Sequence, residues 1–78
     1  MHYVYILKLK DNSYYVGYSN NLKQRISEHK WGIVKTTKKL LPFDLVFYCA
    51  FKTKMKATRF ERYLKEGSGF AFRNKHLI

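Results

Sequence analysis

A chain of 78 residues has room for one domain, and a core that small must draw on aromatic side chains, here seven tyrosines and six phenylalanines. Sixteen lysines and arginines against five acidic residues give a formal charge of +11, which points to polyanionic partners, and the basic residues recur in several segments rather than on one amphipathic membrane helix. The lone Cys49 excludes an internal disulfide, which suits a reducing cytoplasm, and Met1 to Lys10 shows no basic n-region, cleavage site or long hydrophobic run, so neither secretion nor a membrane span is expected.

Residues 2 to 9 and 14 to 18, rich in Val, Ile and Tyr, read as strands joined through the turn formers Asp11-Asn12-Ser13. An odd-numbered connection gives Tyr5 and Tyr15 the same parity and sets both on one face of the hairpin; an even one separates them. Ser19-Asn20-Asn21 then offers N-caps for a helix with an apolar stripe of Leu22, Ile26 and Ile33 running toward Gly32. Arg25 and His29, four residues apart, share a face of this helix away from the centre of the stripe, where both could approach a phosphate.

The segment Lys35-Thr36-Thr37-Lys38-Lys39 reads as a polar basic loop, closed by Leu40-Leu41-Pro42 ahead of an apolar strand at about 43 to 51 in which Cys49 packs as a small hydrophobe. Thr53 can cap a second helix over 54 to 65 whose core stripe is Ala57, Phe60 and Leu64, with Glu61 beside it. Gly67-Ser68-Gly69 breaks that helix, and residues 70 to 75 form a short terminal helix packed by Phe70 and Phe72. No internal repeat, linker or second domain interrupts the pattern, so a single domain over 1–78 is expected.

The ordered set Tyr3-Val4-Tyr5, Tyr15-Val16-Gly17, Arg25 and Glu61 resembles the GIY-YIG nuclease superfamily across nearly the whole chain. His29, together with Thr37 five residues before Pro42, resembles its small stand-alone members more than the excision-repair nuclease domain. The resemblance implies a compact α/β domain of the α+β type, a three-stranded antiparallel sheet flanked by helices. Its implied activity is metal-dependent endonucleolytic hydrolysis of DNA phosphodiesters. Tyr3 replaces the initial glycine of the first tripeptide, Tyr18 follows Gly17 where the repair domain has a lysine, and Asn74 falls near the position of a family asparagine.

On that resemblance Glu61 binds one Mg²⁺ or Mn²⁺ ion, a hard cation that keeps several waters where few carboxylates contribute. The residues alone favour a surface pair of Glu61 with Lys65 at i+4, and only the full motif set turns the reading to metal. Tyr5 is the implied general base and Tyr15 orients water or phosphate, against a plain sheet-packing reading of both. A free tyrosine ionises near pH 10, so the base role sets cationic surroundings against burial. Arg25 binds the scissile phosphate through its guanidinium or is a solvated cation, and His29 relays a proton, donates to phosphate, or lies exposed on the surface. Gly17 serves a close backbone approach or a turn. His2, His29 and His76 lack zinc-ligand spacing, and Lys30, Lys38 and Lys39 are candidates for positioning the nucleic-acid backbone. The alternatives are a weak or inactive nucleic-acid-binding protein and an RNA-associated one, though no RNP motif or KH GxxG loop is present.

Overall fold

A computed structural model describes all 78 residues. Strands β1 (His2–Lys8), β2 (Tyr14–Ser19) and β3 (Asp44–Phe51) form one antiparallel sheet in the order β2-β1-β3. The middle place falls to β1 because Val4, Tyr5, Ile6 and Leu7 are all buried, a run that needs cover on both faces. Residues 9–13 connect β1 to β2, an odd-numbered loop held by Leu9 N donating to Ser13 O at 2.8 Å and by Ser13 N donating to Asp11 Oδ1 at 3.0 Å. The register pairs Tyr5 with Gly17 and Leu7 with Tyr15, so Tyr5 and Tyr15 do share a face.

Each face is covered by a different helix. Helix α1 (Leu22–Lys30) is capped by Asn21, whose Oδ1 accepts from Gln24 N at 3.1 Å, and Leu22 and Ile26 pack on the side of Tyr5, Leu7 and Leu9. It ends before Gly32, which takes a φ of 74°, so Ile33 falls beyond the helix and is 68% exposed instead of extending the stripe. Residues Lys35–Lys38, expected as loop, close one helical turn, α2. On the opposite face α3 (Lys54–Lys65), capped by Thr53, sets Ala57 and Leu64 against Val4, Ile6 and Val16, each large apolar side chain worth about 1.5–3 kcal/mol on full burial.

The terminal helix α4 spans Gly67–His76, so the glycine run forms its first turn and the break lies at the extended Glu66. Phe70 and Phe72 stay exposed, contrary to the expected phenylalanine packing. The buried residues of α4 are Gly69 and Arg73: a Cβ at Gly69 would collide with the Tyr63 carbonyl, and the Arg73 guanidinium lies 4.3 Å from the Phe70 ring centroid and 5.6 Å from that of Tyr14. No helix is long and apolar enough to cross a membrane.

Candidate active site

Tyr5 projects from the central strand on the α1 face and is 1% exposed. Opposite it in β2 stands Gly17, where a Cβ would collide with the Tyr5 ring and hydroxyl and crowd the Tyr15 ring; the glycine is there for close approach, which settles its two sequence readings. His29 reaches down from α1 to the same hydroxyl, its Nε2 lying 2.7 Å from Tyr5 Oη. The Nδ1 of the ring lies 2.7 Å from Thr37 Oγ1 on α2. Tyr15 and Phe43 close around the imidazole, with ring centroids 5.2 and 6.1 Å away in edge-on packing.

His29 is therefore neither on the surface nor off the packing face of its helix: it is fully buried, the one buried residue of α1. The face it shares with Arg25 is split, since the Arg25 side chain is 41% exposed and its Nη1 lies 3.4 Å from Glu28 Oε1. Burial of the ring, seconded by the Arg25 charge and opposed by Glu28, holds His29 below the ordinary imidazole value of 6.5, so it is neutral at pH 7.

Burial is also what governs Tyr5, lifting its phenol well above the usual range, with Tyr15, Glu61 and Glu28 pushing the same way and Arg25 opposing them. The contest left open in the sequence is thus decided against the phenolate in the free protein. The charges that bear on this hydroxyl are thus carried by two helices, Arg25 on α1 and Glu61 on α3. Tyr15 stays beside Tyr5, with ring centroids 6.3 Å apart.

Glu61 makes the expected helical pair, Lys65 Nζ donating to its Oε2 at 2.8 Å, and the side chain remains 23% exposed. No three His, Cys, Asp or Glu side chains gather into a metal site. A lone, partly open carboxylate with one oxygen in an exposed ion pair fits a hard divalent cation that retains most of its water, and does not fit zinc. The other histidines are engaged elsewhere: His2 Nδ1 lies 2.7 Å from Tyr18 Oη, and His76 packs on Phe72. Lys30, Lys38 and Lys39 are exposed around the α1–α2 connection, whereas Asn74 accepts from Arg73 Nε at 3.1 Å on α4. Glu28 and Phe43, which bear on Arg25 and His29, carry no mark in the sequence, because only the packed fold brings them there.

The chain matches the family model of the GIY-YIG catalytic domain over residues 1–75. It is 42% identical over 66 residues to UPF0213 protein YazA of Bacillus subtilis, spanning 83% of this chain and 67% of that one. With UPF0213 protein CPE1444 of Clostridium perfringens the identity is 45% over 67 residues, 85% of this chain and 72% of the relative. The solution NMR structure of UPF0213 protein BH0048 from Bacillus halodurans shares the fold, with a TM-score of 0.60 at 40% identity over 94% of this chain and 79% of that one.

Proposed function

This chain belongs to the GIY-YIG catalytic-domain family, a family of nucleases, and on that premise we propose that it is a single-domain, metal-dependent endonuclease that hydrolyses DNA phosphodiester bonds in the cytoplasm. The observation that carries this reading is the convergence on one buried hydroxyl: Tyr5 Oη has His29 Nε2 at 2.7 Å, and both the Arg25 guanidinium and the Glu61 carboxylate act on its proton affinity. Purely structural packing would not call for a histidine hydrogen bond and two charged groups, drawn from α1 and α3, to bear on one buried tyrosine of β1.

Hydrolysis joins a water oxygen to phosphorus and breaks the bond from phosphorus to the leaving oxygen. The water proton needs an acceptor, and the leaving oxygen takes up a proton from solvent. Tyr5 Oη is the acceptor in this reading, and Tyr15 orients water or phosphate. Because burial keeps Tyr5 neutral in the free protein, its base form would need the charge of the bound cation to lower its proton affinity, with the phenol proton released to solvent before the water is activated. Arg25 holds a non-bridging phosphate oxygen; its 3.4 Å contact with Glu28 is partly solvated and easily exchanged for phosphate. Glu61 is the residue that would hold Mg²⁺ or Mn²⁺, and the bound ion would supply Lewis-acid charge for the phosphate oxygens. Lys30, Lys38 and Lys39 contact the flanking backbone.

The second reading, a weak or inactive nucleic-acid-binding protein, possibly RNA-associated, draws on the same electrostatics, since a strongly disfavoured phenolate and a Glu61 paired to Lys65 also describe a site at rest. A cleavage panel of duplex, single-stranded and branched DNA, plus RNA, with and without Mg²⁺ or Mn²⁺, separates the two. Metal-supported cutting of DNA is expected. Binding without cutting would establish the second reading, and cutting of RNA alone would replace the substrate.

A further inference from the structure

We infer that Thr37 is a positioning residue: its hydroxyl donates to Nδ1 of His29, fixes the ring as the Nε2–H tautomer, and so makes His29 a hydrogen-bond donor to Tyr5 Oη. The argument is a count of protons. Thr37 Oγ1, a neutral imidazole and Tyr5 Oη carry one polar hydrogen each, and two hydrogen bonds of 2.7 Å link them, so one of the three hydrogens must point out of the chain. If His29 donated from Nδ1, that hydrogen would be the one on Thr37.

Thr37 is fully buried, and its Oγ1 has no partner other than the imidazole. The nearby Val34 carbonyl is already taken by Thr37 N and Lys38 N, so a hydroxyl hydrogen turned away from His29 would be buried without an acceptor. At the other end of the chain Tyr5 is buried as deeply and Oη has no protein partner other than Nε2, but Oη lies over Gly17, where on the nuclease reading the reacting water or phosphate supplies an acceptor. The outward hydrogen therefore belongs to Tyr5.

Thr37 alone turns inward in a stretch where Lys35, Thr36, Lys38 and Lys39 face solvent. The turn is pinned from both sides, by Leu40 N donating to Thr37 O at 3.0 Å and Lys10 N donating to Leu40 O at 2.9 Å, which ties it to the β1–β2 connection. A donor on Nε2 favours the charged over the neutral form of Tyr5 Oη and works against burial; it also bars His29 from taking the Tyr5 proton at that atom. The choice of tautomer and its consequence for turnover rest on the nuclease reading above, whereas the two hydrogen bonds that link Thr37, His29 and Tyr5 do not.

Nitrogen-15 NMR of the ring in the isolated wild-type protein tests the inference: Nε2 is expected to carry the hydrogen and Nδ1 to resonate as a bare acceptor, and the reverse pattern overturns it. Thr37→Val should lower the single-turnover rate by about 10- to 100-fold with substrate affinity unchanged, the range typical of removing an outer hydrogen-bond partner. Thr37→Ser, which keeps the hydroxyl, should restore most of that rate and the wild-type ring spectrum. An unaltered rate in a folded Thr37→Val protein overturns the positioning role. If the wild type cuts nothing, the nuclease reading fails, and the ring nitrogens still decide the tautomer.

Discussion

Helices α1 and α3 cover opposite faces of the same sheet by opposite means. Under α3 the fully buried contact is apolar, Ala57 and Leu64 on Val4, Ile6 and Val16. Under α1 the fully buried helical residue is a histidine, wedged among tyrosines and hydrogen-bonded through both ring nitrogens. Burial is as deep on either side, so depth does not distinguish them. The α3 side tolerates any well-packed hydrophobe, while the α1 side is held by hydrogen bonds whose loss strands a buried polar atom. Stability is therefore expected to depend chiefly on the first face and chemistry on the second, with Glu61 the one candidate that α3 contributes.

The strongest blow to that contrast is dealt at Leu64. Leu64→Ala should destabilise the protein by about 2–5 kcal/mol, measured by urea unfolding, while the remaining folded molecules cut at nearly the wild-type rate. A selective loss of rate would mean that the apolar face also sets the site.

On the other side, Arg25→Ala should slow single-turnover cleavage by about 10²–10³-fold, the size of one lost charge-stabilising donor. Its stability should change by no more than about 0.5 kcal/mol, because the side chain is partly solvated and its one ion pair, to Glu28, is a partly exposed helical pair. Glu61→Gln should likewise lose metal-supported cleavage and keep its fold and nucleic-acid binding, since the exposed pair with Lys65 is worth only about 0.3–0.5 kcal/mol. Full activity in Glu61→Gln would remove the metal assignment.

Tyr5→Phe sharpens the comparison, because it keeps the ring yet leaves the His29 Nε2 without its partner; a cost of about 1–3 kcal/mol and a slow but folded variant are expected. Acid should act on the same contact. His29 sits below 6.5 in the folded protein, so as pH falls past 6.5 the unfolded chain takes up the proton first and stability declines until the folded ring also titrates. Urea midpoints between pH 7.5 and 5 should show that decline, and His29→Gln should lack its part of it. The smallest effect concerns the surface: replacing Lys38 and Lys39 together should reduce the logarithmic salt slope of DNA binding by about two contacts and leave the chemical step alone.

Much of the α3 side was legible in the chain. Thr53 as cap and the spacing of Ala57, Phe60 and Leu64 give the helix its bounds and its face, because capping and a strong apolar period are local properties. The parity of Tyr5 and Tyr15 follows from an odd-numbered turn, and the ordered tyrosines, Gly17, Arg25 and Glu61 carry the family likeness. The fold of α4 was less legible: its glycines read as a break, whereas Gly69 is there to let Tyr63 come close, a contact between helices that no local pattern records.

The sequence by itself determined the three strands and the helices α1 and α3, the pairing of the first two strands and the set of groups available for chemistry. Tertiary structure alone decided that His29 is buried, that Thr37 bonds to it, and that Tyr5 holds its proton. The reason is that propensity and periodicity are properties of neighbouring residues, whereas desolvation depends on every atom that excludes water from a site. For Tyr5 those atoms come from strands, helices and turns far apart in the chain, and their sum sets its proton affinity.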